Sequence, residues 1–350
     1  MPPTLKDVSR LANTSGATAS MILNRGQADR FKDSTRRRVV EAAEQLGYHV
    51  QRSAQMLRTG ETRNVAVLIN DLANGFFGRY TSLIQQRLLR EDYTAIPLET
   101  RGCPDRQREL LAWLPQRAVD GVIDLEGLMN GGNAGAVAGA GGPAAGALPI
   151  VFRAIRSATE QPPPCSVEID YQVGADALAL HLASLGCRWP ALAVIDSHVG
   201  DAGNASRPPM LREALRRAGL PADTPQWWGL GTEDALEPWY AGVRSKLRAH
   251  PEADGLIVHN MALLPPVLAA VADAGRAVGR DIAVACFDDG ASLPYLGGGV
   301  TAIREPVDVV AVEAVALLLD RLRRPEREPE PIRLRTELVV RPSTASVTLA

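Results

Sequence analysis

The sequence is short of the features that mark secreted, metal-holding and membrane proteins. Its 350 residues include only four cysteines and five histidines. Cys103, Cys165, Cys187 and Cys286 are scattered, with no Cys-x-x-Cys pair and no histidine cluster beside them. That spacing excludes a zinc motif and a disulfide framework, and reads as buried small apolar side chains in a reducing compartment. The opening residues, MPPTLKDVSR, lack the apolar stretch of a secretory signal. No charge-free apolar run is long enough for a membrane span, so a cytoplasmic protein with no membrane partner is expected. Neither a nucleophile–base arrangement nor a metal-ligand spacing stands out, and no enzyme activity, metal or cofactor is expected. Asp71 and Asp288 leave a carboxylate pair open as a weaker, catalytic reading.

What is present is an asymmetry of charge. The net charge of -2 conceals 11 basic against 6 acidic residues in 1–63, which leaves 27 basic against 34 acidic in the rest. A basic head on an acidic body suggests that the head alone meets a polyanion; a merely solvated charged surface is the plain alternative. At 350 residues, 46% of them hydrophobic, the chain has room for a small domain and a larger two-lobed one.

Three short helices fit the first fifty residues. TLKDVSRLA opens with Thr4 and Asp7 at capping-box spacing and aligns Leu5, Val8 and Leu11. NTSG is a tight turn in which Asn13 takes a left-handed conformation, and Ser15 is the N-cap of the second helix. That helix, SGATASMILN, turns Ala19, Ile22 and Leu23 inward and presents Gly16, Ala17, Ser20, Met21 and Asn24, a small and uncharged outer face. The third, DSTRRRVVEAAEQLGY, buries Val39, Ala43 and Leu46 and stops at Gly47. Two helices joined by a four-residue turn and closed by a third describe a helix-turn-helix domain, with a generic three-helix bundle as the alternative.

Residues 51–62 have too few apolar positions for a core and read as a linker with a short helical middle. From Arg63 onward, strands such as NVAVLIN, YTAIPLE, VDGVIDL, CSVEID, PALAVID, ADGLIV and DIAVACF alternate with helices. This is the pattern of parallel sheets covered on both faces, and its length implies two doubly wound lobes with a cleft between them. The Gly-rich tract at 130–148 occupies a helix slot as a frayed helix or a loop.

At this point the residues resemble a known family. TLKDVSRLANTSGATASMILN, STRRRVVEAAEQLGY and RSAQMLRTGETRNVAVLI are similar to the head and hinge of the lactose-repressor (LacI/GalR) family of bacterial transcription regulators. The likeness continues through DLANGFF, RAVDGVI, REALRRAGLP, VACFDD, TAIREP and RTELVVRPSTA. The resemblance implies an all-α helix-turn-helix head at 1–50 and a hinge helix at 51–62. It joins them to an α/β, periplasmic-binding-protein-like body at 63–342, with a tail at 343–350. The body would cross between lobes three times, with one lobe at about 63–165 plus 295–325 and the other at about 166–294 plus 326–342.

The resemblance also implies partners and sites. The partners are operator DNA with an inverted repeat, a second copy of the chain in a homodimer or dimer of dimers, and a small effector of carbohydrate type. DNA contacts would come from Thr4, Ser15, Gly16, Ala17, Thr18, Ser20, Met21, Asn24 and Arg25. An arginine is usual where Met21 stands. Ala54 and Leu57 would lie on the hinge helix, with Leu57 as a minor-groove wedge. The effector would meet Asp71, Asn74, Phe76, Arg207, Asn260 and Asp288. Three departures from the family pattern bear on its identity. Met261 replaces an acidic residue, Gly75 replaces a proline, and VFRAIRS lacks the usual Asp-Arg pair, with Arg153 or Arg156 as substitute cations. Met261 removes a hydroxyl acceptor, which leaves a sugar acid, a modified sugar or another metabolite open beside a free sugar. Trp227, Trp228 and Trp239 are expected in the core. The expected function is therefore a repressor whose operator affinity is modulated by the effector. The alternatives are a sugar-binding module or an activator without effector-released repression.

Overall fold

A computed structural model of the chain describes residues 3–23, 30–48, 60–116, 119–126, 148–155, 163–194, 207–222, 227–230 and 236–345. It divides into two compact units, Met1–Thr62 and Arg63–Ala350.

In the first unit, α1 (Leu5–Leu11), α2 (Gly16–Leu23) and α3 (Asp33–Leu46) enclose a core of Val8, Ala12, Ala19, Ile22, Val39, Ala42 and Ala43. The Asp7 carboxylate accepts from both the Thr4 backbone N–H, at 2.9 Å, and the Thr4 hydroxyl, at 2.6 Å, which fixes the start of α1. Asn13 adopts φ 49°, and the Thr18 N–H donates to Ser15 Oγ at 3.1 Å at the start of α2. Gly47, at φ 61°, ends α3 in the left-handed region. Leu11 departs from the expected alignment with Leu5 and Val8, being 51% exposed, and Ala12 is buried in its place. The reason is helical drift: at 100° per residue, a step of four from Val8 returns closer to the buried stripe than a step of three.

Among the described residues, the second unit contains two six-stranded sheets. The strands in chain order are β1 (Asn64–Ile69), β2 (Thr94–Glu99), β3 (Gly121–Asp124), β4 (Ile150–Ile155), β5 (Ser166–Asp170), β6 (Pro190–Val194), β7 (Trp227–Gly229), β8 (Gly255–Val258), β9 (Ala283–Cys286), β10 (Thr301–Arg304), β11 (Ile332–Arg335) and β12 (Glu337–Val339). The first sheet runs β11-β5-β4-β3-β1-β2, all parallel. The second runs β12-β10-β9-β8-β6-β7, parallel except for the antiparallel edge strand β12. The covering helices are α4 (Gly75–Arg90), α5 (Pro104–Trp113), α6 (Tyr171–Ser184), α7 (Arg207–Arg217), α8 (Leu236–Ala249), α9 (Leu264–Asp273), α10 (Val307–Arg323) and the short α11 (Pro342–Ala345). Near-continuous burial of Val65–Ile69, Gly121–Asp124, Gly255–Val258 and Ala283–Cys286 is what parallel strands covered on both faces require.

Register corrects the expected lobe boundaries. Residues 166–170 pair with β4, and 332–335 pair with them in turn, so both strands belong to the first sheet. Residues 301–304 pair with β9 and belong to the second. An apolar run announces a strand, but the sheet it joins depends on long-range pairing that periodicity does not carry. The three crossovers between lobes therefore fall at Asp170–Tyr171, Arg304–Val307 and Arg335–Glu337, and they lie against one another. Thr336 donates from Oγ1 to the Asp170 carbonyl at 3.1 Å and accepts from the Gly174 N–H at 3.1 Å. A side chain at Gly174 would collide with Ile303 and Thr336, so glycine permits the close approach.

Cys165, Cys187 and Cys286 are buried, whereas Cys103 is exposed, a second correction. It sits at the N-cap of α5, immediately before Pro104, where the chain leaves the loop. Trp228 and Trp239 are core residues. The side chain of Trp227, the hinge at 51–59 and the Gly-rich tract through residue 147 lie outside the described residues.

Candidate functional site

The carboxyl ends of the parallel strands and the three crossovers meet around a buried set of charged and aromatic side chains. Arg153, on β4, donates from Nε to Glu305 Oε1 at 2.7 Å and from Nη2 to Glu305 Oε2. The hydroxyls of Tyr80, on α4, and Tyr171, at the start of α6, also donate to Glu305. Both ion-pair side chains are 2% exposed. Removing two charges from water costs several kcal/mol each, and here four hydrogen bonds onto one carboxylate offset that cost. Burial alone would raise the Glu305 carboxyl. The Arg153 charge and the bonds from Arg153, Tyr171 and Tyr80 outweigh it and hold Glu305 below the usual carboxylate range. Burial, with the Glu305 charge beside it, pushes the Tyr80 hydroxyl well up, and burial likewise raises Tyr171. Both phenols therefore stay protonated and remain donors at neutral pH.

The second lobe adds Arg207 and Asp288, which are 6% and 4% exposed. Arg207 opens α7, and Asp288 follows β9. Arg207 Nη2 donates to the Tyr171 hydroxyl at 2.8 Å and Nη1 to the His259 carbonyl at 3.3 Å, while its guanidinium carbon stands 4.6 Å from the Tyr171 ring centre. Arg207 Nη2 also forms an ion pair with Asp288, 3.0 Å from Oδ1. Arg207 Nε is buried and donates no hydrogen bond, and Asp288 Oδ1 is buried and accepts none. A buried donor and a buried acceptor without hydrogen bonds, on two residues joined by an ion pair, suit a ligand hydroxyl, which supplies both functions.

In the head, Ser15, Gly16 and Ala17 are exposed, and Thr18, Ser20 and Met21 are half-buried. The hydroxyls of Ser15 and Thr18 lie 2.9 Å apart and bond to each other. Thr4 is bonded to Asp7, so its hydroxyl serves the helix start. Asn24, Arg25, Ala54 and Leu57 lie outside the described residues.

Residues 4–51 match the family of bacterial regulatory proteins called the lacI family, and residues 179–344 match the periplasmic binding protein-like domain. An uncharacterised HTH-type transcriptional regulator from the aml 5′ region of Streptomyces limosus is 29% identical over 98% of this chain and 95% of its own. Two solved structures share the fold. The lac repressor dimer bound to operator and the anti-inducer ONPF superposes with a TM-score of 0.79 at 22% identity, covering 100% of both chains. The regulator CelR with cellobiose gives 0.67 at 23% identity, covering 97% of this chain and 99% of its own.

The head is thus similar to that of the lacI family of bacterial regulatory proteins. The body of the chain has the fold of the periplasmic binding protein-like domain, and its three-helix head matches the lacI-type regulatory head. Among the described residues, no helix is long and apolar enough to cross a membrane.

Within its body the expected effector residues separate into two groups. Phe76, Arg207 and Asp288 join the buried network, Phe76 through edge-on contact with the Tyr80 ring at 5.2 Å and with the Arg153 guanidinium carbon 5.6 Å from its ring centre. Asp71, Asn74 and Asn260 instead cap backbone. Asp71 Oδ1 accepts from the Ala73 N–H at 2.8 Å, Asn74 Oδ1 from Phe76 at 3.0 Å, and Asn260 Oδ1 from Ala262 and Leu263 at 3.0 and 3.2 Å. Arg153 had been noted in the sequence as a substitute cation, whereas Tyr80, Tyr171 and Glu305 carried no local signal. Two departures from the family pattern meet in space: Met261 Cε lies 3.9 Å from where a side chain at Gly75 would begin, and it also packs on Gly290. An apolar contact between lobes therefore occupies the place of a polar group.

Glu126, just past β3 and 3% exposed, was also missed. Its Oε2 accepts from the Thr100 hydroxyl, and its Oε1 is buried without a partner. Burial raises this carboxyl, against the bonds from Thr100 and the Gly102 N–H. A carboxyl that is harder to ionise when folded contributes fully below its unfolded value of about 4.3, and loses that contribution as pH rises through the folded value. Glu126→Gln is thus expected to match the wild-type melting temperature near about pH 4 and to exceed it at about pH 8. A difference that stays constant across that range excludes the assignment.

Proposed function

We propose that this chain is a LacI-family transcriptional regulator, a cytoplasmic, homodimeric repressor that binds an inverted-repeat operator and changes affinity when an uncharged, polyhydroxylated effector enters between the lobes. The effector is bound and not turned over. The observation that carries this reading is that the ion-paired Arg207 and Asp288 each keep a buried atom without a hydrogen bond, Nε and Oδ1, beside the Tyr171 and Phe287 rings. Carboxyl ends of parallel strands are where open α/β sheets take ligands, and rings cover the apolar face of a sugar. Charge argues for neutrality: Arg153 and Arg207 are balanced by Glu305 and Asp288, so a carboxylate or phosphate would bring an uncompensated charge into a buried site. Met261 favours an effector with an apolar edge on that side. CelR binds cellobiose, which supports the carbohydrate class here. On DNA, α2 would lie in the major groove with Gly16, Ala17, Ser20 and Met21 toward the bases. Paired hinges would insert Leu57 in the minor groove. The lac repressor dimer on operator supports that arrangement.

The test begins with selection of the operator from random DNA. Thermal shift is then measured on the full chain with D-ribose and cellobiose, each beside its aldonic acid. The neutral sugars are expected to give the larger shift, because a ligand bound only to the native state raises its melting temperature. Arg207→Ala is expected to lose the response to the stabilising sugar while keeping effector-free operator affinity. Wild-type sensitivity in that variant would show that Arg207 does not hold the effector.

A further inference from the structure

The Tyr171 hydroxyl has no capacity left for another partner. It accepts from Arg207 Nη2 at 2.8 Å and from Arg153 Nη2 at 3.0 Å, and it donates to Glu305 Oε2. A phenol has one proton to give and two lone pairs, so this oxygen is saturated. Each of its partners comes from a different part of the body: Arg207 from α7 in the second lobe, Arg153 from β4 in the first, and Glu305 from the crossover that leaves β10 for α10. Tyr171 itself stands on the first crossover. Its neighbour Asp170 is held through its carbonyl by Thr336 on the third.

We propose that Tyr171 is a positioning residue, whose hydroxyl transmits the placement of Arg207 to the Arg153–Glu305 ion pair and so to the crossovers that set the angle between the lobes. The proposal rests on the reading of Arg207 as an effector contact. Its physical basis is that the set is buried and fully bonded. A move of Arg207 toward a ligand removes a donor from Tyr171, whose side chain is fully buried. The hydroxyl must then turn, and the carboxylate that receives its proton must adjust with Arg153 and Tyr80. In a low-dielectric interior such networks exchange between discrete arrangements instead of deforming smoothly. The crossovers are where a small local change becomes a lobe rotation, because every connection between the sheets passes through them.

The experiment needs no effector. Cys103 is the exposed one of the four cysteines and lies in the first lobe. Tyr295, 86% exposed in the second lobe, is changed to cysteine as the partner position. Both are spin-labelled in the full-length protein, which is diluted with unlabelled chain so that only distances within one protomer are read. Pulsed electron resonance then gives the inter-lobe distance distribution for the parent, Arg207→Met, Tyr171→Phe and the double variant. Each single change is expected to move the mean by about 2 Å or more, the scale of hinge rearrangements, and the double variant is expected to coincide with Tyr171→Phe. Shifts that add in the double variant overturn the proposal, because Arg207 then reaches the crossovers by another route. Distributions that all coincide, with only the melting temperature lowered, overturn it as well and leave Tyr171 a packing residue. Should Tyr171→Phe fail to fold, Glu305→Gln takes its place in the cycle, with the same outcomes. These results stand whether or not Arg207 meets the effector, a question answered separately by the sugar response of Arg207→Ala.

Discussion

Glu305→Ala is expected to cost about 3–5 kcal/mol of folding stability, the usual loss when one partner of a buried ion pair is removed. The variant leaves Arg153 charged among apolar side chains, and two tyrosine hydroxyls lose their acceptor. Arg153→Met combined with Glu305→Gln removes both charges and keeps an oxygen acceptor for the phenols. That double variant is expected to lose less than the two single changes together, because no unpaired charge remains. Urea denaturation of the parent, Glu305→Ala, the two single changes Arg153→Met and Glu305→Gln, and the double variant measures these differences. A loss below about 1 kcal/mol in Glu305→Ala, the level of an exposed pair, would mean that water reaches the site. The pH dependence has a definite sign. Glu305 is held below the usual carboxylate range, so its contribution is complete above the unfolded value of about 4.3 and disappears as pH falls through the folded value.

Met21→Arg is expected to create a guanine preference that the native head lacks. Along the described turns of α2, the expected base-facing positions Gly16, Ala17 and Met21 offer no strong hydrogen-bonding side chain, and Ser15 and Thr18 bond to each other. Docking then depends on phosphate contacts, and base choice on thymine methyl groups, Ser20 and the hinge. An arginine at 21 adds a bidentate donor pair, worth about 1–3 kcal/mol of discrimination, or roughly 5- to 150-fold in affinity between guanine and another base. Binding-site selection on both proteins, followed by titration of operators that differ at that base pair, reads the change. If the native protein already requires guanine there as strictly as the variant, residue 21 does not face the bases.

The sequence by itself carried the local chemistry far. Thr4 with Asp7, Asn13 before Ser15, and Gly47 after Leu46 are short-range signals, and each is met by the backbone geometry they require. Continuous apolar runs placed β1, β3, β8 and β9, because strands covered on both faces have no polar side to show. The polar groups at Asp71, Asn74 and Asn260 were also visible, and their observed bonds are the capping bonds such residues make next to a helix start.

Only the tertiary structure decided which strands share a sheet and which charges share a site. Residues 166–170 and 301–304 read alike as strands, yet one pairs in the first sheet and the other in the second, since register is fixed by partners more than a dozen residues away. Arg153 and Glu305 are separated by 152 positions, and Tyr80 and Glu305 by 225. No period or spacing links residues so distant. They are brought together because the chain crosses between its lobes, and the first two crossings deliver Tyr171 and Glu305 to the same buried junction. There a charge is tolerated only with its partner, so local chemistry determined the elements, while burial at the crossovers determined which of those residues act together.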